Sequence, residues 1–387
     1  MDRTVIQKIR ESGRHAVGGL PHSSVCGLLT LKRRLALRAL SSRKIQISQI
    51  LFGALVASII FIPVGAGAQE LSDDLAKFKL REVVVSHADE KGVLQLYRMK
   101  EDGTDRQQLT DSKRGCRMPA CSPDGKKLIY VQQVDHAHSL WISDMDGQNP
   151  RVLVDKGLNL VPSWLPDSKH IVWMRAQPGQ DPSRKSQIYL MNTATGESRR
   201  LFSNPEQRKF SNSMPVVSPC GELIAFVSNR SGNMRVWVGN LDGSEAKLVS
   251  LPDIEYHDVI EAPIEQKVPA WSPDGKWIAH WEGVEMMHMS KFSGVPNPQR
   301  DRLISETFHV WVVGRDGMNR RRVGRGDDPT WSPDGFVTRA FPDPVRGGPK
   351  IMVESAAGEK ELPLVPRKRD WGRFTWMPKQ VQKPADN

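Results

Sequence analysis

Residues 269–281 have the sequence PAWSPDGKWIAHW, and this stretch recurs along the chain. Similar stretches begin at Pro119, Pro162, Pro215 and Pro329, and a truncated copy, FTWMP, occupies residues 374–378. We number the five whole copies repeats 1 to 5 in chain order, so Pro269 begins repeat 4. Self-similarity at a period of roughly 40–60 residues is typical of an array of one supersecondary unit.

The sequence of each repeat predicts four short strands, which we label A to D. Ser-Pro-Asp-Gly is a turn, because Pro presets φ at the second position and Gly accepts the left-handed conformation. The apolar residues that follow, such as ELIAFV in repeat 3, predict a strand buried on both faces. Further along, Trp237 precedes a second turn at Asp242-Gly243, and the short segment AKLVS completes the unit.

The two ends of the array complement each other. Upstream of repeat 1, EVVVSH, VLQLYRMKEDG and RQQLT supply strands B, C and D without strand A, whereas GRFTWMP at the other end supplies strand A alone. We therefore predict an all-β fold over residues 80–378. It is a six-bladed β-propeller of four-stranded antiparallel blades, closed by the C-terminal strand joining the N-terminal blade, and closure protects the sheet edges. The tryptophans of strand A are expected to pack between blades: Trp164, Trp271, Trp331 and Trp376.

Residues 1–68 predict export. The first 44 residues hold ten Lys and Arg against two acidic residues, and an uncharged apolar stretch follows that ends in Ala66-Gly67-Ala68. This is the pattern of a signal peptide cleaved after Ala68, although residues 45–69 are long enough to form an uncleaved membrane anchor. Either way, the rest of the chain is expected to be periplasmic or secreted, with a short linker at 69–79 and a disordered tail at 379–387.

The charge of the chain argues against nucleic acid as a partner. The net charge is +11, but outside the leader 45 basic residues face 42 acidic ones. A nearly balanced domain has no extended basic field for a phosphate backbone. We expect a monomer that touches a membrane only if the leader stays uncleaved. The runs Arg320–Arg322 and Arg367–Arg369 are expected to be solvated, or to contact an acidic envelope surface.

The repeated Ser-Pro-Asp-Gly pattern, together with SNRSGNMRVWVGNLDG at residues 228–243, resembles the WD40-like (PD40) repeats of the TolB family. The departures are local: Ser168 replaces a turn glycine, Cys220 a turn aspartate and Cys121 a tryptophan. The resemblance implies an exported scaffold that binds a protein or a cell-envelope component. We expect this chain to lack the α/β domain that precedes the propeller in that family, because few residues separate Ala68 from the first strand.

Topology places the candidate site. The A–B and C–D turns of a four-stranded blade lie on one face, the turn face, and the B–C and D–A connections lie on the other, the loop face. The long insertions at 251–267 and 282–306 both belong to the loop face of repeat 4 and are expected to meet. Their candidate partner or ligand residues are Tyr256, His257, Asp258, Glu261, Glu265, Glu282, Glu285, Met286, Met287 and His288, and the same face carries His136 and His138.

Two functions follow from this placement, and an ordinary solvated loop is the simpler interpretation of the same residues. The first function is a non-catalytic binding scaffold. The second is a metal-assisted carbohydrate-active enzyme, a lyase or hydrolase, in which His257, His280 or His288 binds a divalent metal and a glutamate acts as base; this rests on a resemblance of related propellers to such enzymes. No G-x-S-x-G, H-E-x-x-H or P-loop motif occurs, so we predict neither catalytic residues nor a cofactor.

The exported part contains three cysteines, Cys116, Cys121 and Cys220. Cys116 and Cys121 are close enough in sequence to form a disulfide in an oxidising compartment. The alternative is that all three are unpaired and buried as small hydrophobic side chains.

Overall fold

The computed structural model describes residues 81–101, 103–134, 137–177, 185–253, 256–257, 262–284, 306–343, 348–355, 358–362 and 374–378. These residues belong to one compact unit, Lys79–Asn387. No helix among them is both long and apolar enough to cross a membrane.

The described part of the chain is all-β apart from the short helix α1 and two helical residues at 306–307. In chain order the elements are β1 (Glu82–Ala88), β2 (Leu94–Lys100), β3 (Gln107–Gln108), β4 (Cys116–Cys121), β5 (Lys127–Val134), β6 (Ala137–Asp144), β7 (Arg151–Val154), β8 (Leu158–Trp164), β9 (His170–Ala176), β10 (Gln187–Asn192), β11 (Ser198–Arg200), α1 (Pro205–Arg208), β12 (Asn212–Val217), β13 (Leu223–Ser228), β14 (Arg235–Asn240), β15 (Lys247–Leu248), β16 (Tyr256–His257), β17 (Ala262–Trp271), β18 (Trp277–Val284), β19 (His309–Gly314), β20 (Arg321–Arg325), β21 (Asp327–Trp331), β22 (Val337–Asp343), β23 (Gly348–Ser355), β24 (Gly358–Leu362) and β25 (Phe374–Trp376).

Each repeat forms the four antiparallel strands that its sequence predicts. Repeats 1 and 2 are β4–β7 and β8–β11, which share one sheet through a single parallel pair, His138 with Leu158. Repeat 3 is β12–β15 and repeat 5 is β21–β24. Repeat 4 is β17–β20, and the two-residue strand β16 is added at the edge beside strand A by pairing with β17.

The C-terminal strand lies beside the first strand of the described chain. β25 pairs antiparallel with β1, with Val83 opposite Trp376 and Val85 opposite Phe374. The backbone N–H of Met377 extends this pairing by donating to the carbonyl of Glu82 at 3.0 Å. The resulting sheet has the order β25-β1-β2-β3 and unites the incomplete ends of the array.

Strand A of every whole repeat contains a bulge at its proline. The residue before the proline has a positive φ: Met118, Val161, Met214, Val268 and Asp328. The pairing register with strand B shifts at the same place, for example between Lys267 and Ala270. Proline has no N–H to give to a sheet, so a bulge is where a strand accommodates it. A valine at positive φ is strained, so packing has to hold this conformation at two of the five bulges.

Tryptophans of strand A link neighbouring repeats, as predicted. The indole N–H of Trp164 donates to the carbonyl of Ala120 at 2.9 Å, and Trp271 and Trp331 donate in the same way to Val216 and Ala270, each at 3.1 Å. In each case the acceptor lies in strand A of the preceding repeat. The indole N–H of Trp376 is buried with no hydrogen-bond partner among the described residues.

Candidate functional site: the loop-face end of repeat 4

The two strands that carry the long insertions of repeat 4 are longer than their counterparts in repeat 3. β17 has ten residues and β18 has eight, whereas β12 and β13 have six each. At the loop-face end, Glu265 lies opposite Gly283 and Gln266 lies opposite Glu282. The structure therefore brings residues 262–267 and 282–284 together as neighbouring strands.

Glu282 is buried in a strand, which corrects its assignment to a solvated loop. Its side chain is 7% exposed. Arg320 Nη2 donates to both carboxylate oxygens, at 3.1 and 2.9 Å, and Gln266 Nε2 donates to Oε2 at 3.3 Å. Burial raises the pKa of Glu282, and the neighbouring Arg320 guanidinium partly opposes that rise. The extra length of β17 and β18 explains the burial, because both strands continue into the predicted loop.

Arg320 joins this carboxylate to an aromatic ring and to the preceding repeat. Its guanidinium carbon lies 3.5 Å from the ring centroid of Trp311, and a second carboxylate, that of Asp253, also accepts from it. The prediction that the run Arg320–Arg322 is solvated is wrong for Arg320, which bridges Glu282 and Asp253. Sequence reasoning missed this residue because nothing in three consecutive arginines tells which one points inward.

His280 lies two residues before Glu282 on β18 and is fully buried. Its Nδ1 is 3.3 Å from the carbonyl of Trp281, and its Nε2 has no partner among the described residues. Burial lowers the pKa of His280 to about 4, so the ring is neutral at physiological pH. A neutral imidazole is the form that binds a metal, but the described residues contain no cluster of three or more His, Cys, Asp or Glu arranged around one point.

Glu265 is the other predicted site residue on these strands. It is 2% exposed, and its carboxylate pairs with Lys267 Nζ at 2.9 Å. It therefore belongs to a strand interior rather than to a loop, which again corrects the sequence-based expectation. The backbones of Tyr256 and His257 form β16, opposite Pro263 and Ala262.

The remaining candidates fall in other places. His138 is a half-buried residue of β6, which corrects its assignment to an exposed loop; its Nε2 lies 3.1 Å from Arg117 Nη2. Burial lowers the pKa of His138, and Arg117 adds to the effect. Other predicted residues lie outside the described part of the chain: His136, Asp258, Glu261, Glu285, Met286, Met287, His288 and Arg367–Arg369.

A cavity of about 300 Å³ lies among the A strands. It is lined by the bulge residues of repeats 1 to 5, among them Pro119, Pro215 and Pro329, and by Phe374 and Thr375 of β25. Its walls are mainly backbone, proline rings and apolar side chains, among them those of Trp164, Met118 and Met214. Such a surface offers shape and carbonyl groups to a ligand, but little acid–base chemistry.

The three cysteines are unpaired. Cys116 is buried and Cys121 is half-buried, but Cys220 is exposed, so the expectation of three buried thiols is wrong for Cys220. Its exposure follows from its place in the A–B turn of repeat 3.

Comparison with known proteins supports the fold. A family model described as the TolB beta propeller domain matches residues 69–309. A protein TolB homolog of Chlorobium luteolum is 26% identical over 164 residues, which is 42% of this chain and 35% of the relative, so the chain spans about a third of that relative's length. An uncharacterized protein of Agrobacterium fabrum is 31% identical over 232 residues, 57% of this chain and 69% of the relative.

A solved structure agrees with the family match. The crystal structure of TolB from Acinetobacter baumannii superposes with a TM-score of 0.59 at 18% identity, covering 80% of this chain and 71% of that one. At this identity the likeness concerns the fold alone.

Proposed function

The chain belongs to the TolB β-propeller family, and we propose that it is an exported, non-catalytic scaffold that binds a protein or a cell-envelope component on its loop face. A propeller of this family serves as a rigid frame that presents loops. The observation that carries the proposal is the elaboration of repeat 4, where β17 and β18 are extended and β16 is added at the point from which both long insertions leave.

The frame is proposed to be a closed ring of six blades. Support comes from the four strands of each whole repeat and from the pairing of β25 with β1, which would make the sixth blade from the two ends of the array. A ring closed in this way holds its loops at fixed separations, which lowers the cost of ordering them when a partner binds.

The buried ion pair of repeat 4 supports the same placement. Arg320 contacts Glu282 in repeat 4 and Asp253 in the segment that leads from repeat 3, so it ties together the bases of both insertions. The partner would contact Tyr256, His257, Asp258, Glu261, Met286 and His288, with His136 and His138 on the same face. A few anchors such as Tyr256 would carry most of the affinity.

Export and location follow from the leader. We propose that the signal peptide is cleaved after Ala68 and that the mature chain is periplasmic or secreted, acts as a monomer and binds no nucleic acid. N-terminal sequencing of the protein purified from its host tests this directly: a mature chain beginning at Gln69 supports cleavage, and an intact leader supports the membrane anchor.

A loop graft tests the scaffold function. Ser228 pairs with Arg235 in repeat 3 as Glu282 pairs with His309 in repeat 4, so replacing residues 283–308 by NRSGNM, the sequence of residues 229–234, keeps the strand register. Partners captured from the host's envelope fraction by the wild-type chain are expected to be lost with the graft and retained by Lys276→Ala on the turn face. If the folded graft captures the same partners, the loop-face placement is wrong.

The metal-assisted lyase or hydrolase is the second candidate. One observation favours it: His280 is a neutral imidazole whose buried Nε2 has no hydrogen-bond partner in the part of the chain that the structure describes. Metal analysis of the purified chain separates the two functions. A stoichiometric divalent metal that is lost on His257→Ala and His288→Ala supports the enzyme, and a metal-free chain that still binds its partner supports the scaffold.

A further inference from the structure

The A–B turns of successive repeats contact one another on the turn face. A Cβ placed on the turn glycine Gly221 would lie 3.6 Å from the ring of Pro166. A Cβ placed on Gly275 would lie at the same distance from the ring of Pro219, and one placed on Gly125 at the same distance from the ring of Pro378. Where Ser168 replaces the glycine in repeat 2, its hydroxyl accepts from the backbone N–H of Asp124 at 3.0 Å. Each of these turns is therefore packed on the turn of the preceding strand A.

The contact is missing between repeats 4 and 5. A Cβ placed on Gly335 would meet no atom of the described residues within 4 Å. The reason is in the sequence, because SPDGFV lacks one residue that SPDGKWI contains between the glycine and the apolar strand. The backbone N–H of Ser272 donates to Trp277, five residues on, whereas Ser332 donates to Phe336, four residues on. The shorter turn leaves Gly335 apart from Pro273.

A cavity of about 500 Å³ occupies the gap. We call it the turn cleft and define it by six of its lining residues: Pro273, Trp277, Arg321, Trp331, Pro333 and Asp334. Its volume lies in the range of ordinary ligand sites, about 300–1,000 Å³. The cleft is on the face opposite to the insertions of repeat 4.

The aromatic walls of the turn cleft are fixed in place. Trp331 is oriented by its hydrogen bond to the carbonyl of Ala270, and Trp277 and Trp331 both pack on the buried cluster that contains Val310, Val312 and Val337. Both indoles remain half-buried, so part of each ring faces the cleft. Two held indoles and two proline rings form the apolar part of the cleft wall, and side chains that are already fixed lose little entropy when a ligand binds.

We propose that the turn cleft binds a proline-rich, extended segment of a partner polypeptide. The repeats themselves indicate this chemistry, because a proline ring packs on the turn glycine at the other contacts of this face, and here that place is open. Polyproline segments are already ordered before they bind, and aromatic-lined grooves recognise them by packing on their rings. Asp274, Asp334 and Arg321 also line the cleft. Asp334 already pairs with Arg81 at 3.5 Å, so Asp274 is the group that favours a basic residue beside the prolines.

The probe is a fluorescein-labelled peptide of one lysine and six prolines, titrated with the full chain and followed by fluorescence polarisation. We expect saturable binding, and no binding of a peptide in which glycine and serine replace the prolines. Trp277→Leu, which installs the residue found at the matching position 223 of repeat 3, is expected to weaken binding about tenfold, since it removes one aromatic wall.

Two further variants make the test independent of folding defects. Insertion of one lysine between Gly335 and Phe336 restores the turn length of repeat 4 and is expected to close the cleft and abolish binding. Leu223→Trp adds an indole beside the closed contact of Pro219 with Gly275 and is expected to leave the affinity unchanged. Thermal unfolding of each variant confirms that it is folded.

Three results would overturn the proposal: no binding of the proline peptide to the wild-type chain, equal binding by the insertion variant, or binding at the cleft of a glucan or N-acetylglucosamine oligomer in place of the peptide. The loop graft at 283–308 is expected to keep full affinity for the peptide. Failure of the turn cleft therefore leaves the loop-face function untouched, and the reverse also holds.

Discussion

Repeats 3 and 4 share the arrangement of strands A to D, but they bury different kinds of side chain at matching positions. Their B strands, LIAFVS at 223–228 and WIAHWE at 277–282, align residue by residue, so Phe226 corresponds to His280 and Ser228 to Glu282. Phe226 is fully buried and packs against Phe202 with ring centroids 4.8 Å apart. Repeat 4 buries a histidine and a carboxylate at the same positions.

The comparison distinguishes the buried positions that are apolar in both repeats from those at which a polar side chain is tolerated. In both repeats the central alanine of strand B is buried opposite a valine of strand C, Ala225 with Val238 and Ala279 with Val312. The buried carboxylate of Glu282 is accommodated because Arg320 and Gln266 donate hydrogen bonds to it, whereas His280 Nε2 has no partner among the described residues. Buried polar groups of this kind cost stability unless they are paired. In repeat 4 they occur at the loop-face end of the sheet, next to the insertions. Repeat 3 has only a short connection between strands B and C at that end.

The largest effect is expected from breaking the ion pair. Glu282→Ala leaves the Arg320 guanidinium buried between Trp311 and the exposed Asp253 without its main partner, and loss of one member of a buried pair costs about 3–5 kcal/mol. Urea unfolding of the full chain measures the change. The matched control is Ser228→Ala in repeat 3, which removes one hydrogen bond from Arg230 and is expected to cost about 1 kcal/mol. Equal losses would show that the polar interior of repeat 4 has no special energetic role.

A smaller effect is expected from acidification. The native pKa of His280 is lowered to about 4 by burial, below the unfolded value of about 6.5, so between these values the unfolded chain binds more protons than the native chain. Stability is therefore lost as the pH falls from 6.5 to 4, by about 3 kcal/mol for this residue. Burial also lowers the pKa of His309, which acts in the same direction, whereas the raised pKa of Glu282 acts in the opposite one.

His280→Phe isolates the share of His280, because phenylalanine is the residue that repeat 3 has at this position. The variant is expected to lose less stability than the wild-type chain over the same pH range, as measured by urea unfolding at several pH values. An unchanged pH dependence would mean that the imidazole of His280 is protonated as easily in the native as in the unfolded chain.

The sequence predicts the strands of the repeats well, but it predicts the environment of the candidate site residues poorly. The Ser-Pro-Asp-Gly turns and the tryptophans recur at fixed offsets, so local chemistry alone predicts four strands per repeat and the pairing of residues 374–376 with β1. The burial of Glu282 was not predictable in this way. Its neighbours in sequence are Trp281 and Gly283, whereas the residues that bury it, Gln266 and Arg320, come from other strands.

The turn cleft between repeats 4 and 5 is a second feature that the sequence alone does not predict. The missing residue after Gly335 is visible in the sequence, but its consequence depends on Pro273, which is about sixty residues away along the chain. The one-residue difference creates a cavity only because each A–B turn packs on the A–B turn of the neighbouring repeat.

An intermediate effect tests the link between the two repeats. Trp271→Phe removes the hydrogen bond from the indole to the carbonyl of Val216 in repeat 3 and is expected to cost about 1 kcal/mol more than the loss of ring area alone. Trp376→Phe provides the control, since its indole N–H has no partner among the described residues. Differential thermal unfolding of the two variants measures the difference, and equal destabilisation would mean that the inter-repeat hydrogen bond contributes nothing.

The smallest effect concerns the A–B turns, where Cys220 of repeat 3 corresponds to Asp274 of repeat 4. Asp274 accepts from the Ser272 hydroxyl at 2.5 Å, and the sulfur of Cys220 lies 3.1 Å from the Ser218 hydroxyl in the same arrangement. The hydrogen bond from Ser218 and those from the backbone N–H groups of the turn lower the pKa of Cys220, whereas burial raises the pKa of Cys116.

Iodoacetamide, followed by mass spectrometry as a function of pH, is therefore expected to alkylate Cys220 before Cys116 and at a lower pH than an ordinary thiol, because the thiolate is the nucleophile. Ser218→Ala is expected to shift the alkylation profile of Cys220 to higher pH, with little change in that of Cys116. Cys220→Asp restores the turn of repeat 4 and should change the free energy of unfolding by less than about 0.5 kcal/mol. An unshifted profile in Ser218→Ala would mean that the turn holds an aspartate and a cysteine in the same shape without stabilising the charge of the thiolate.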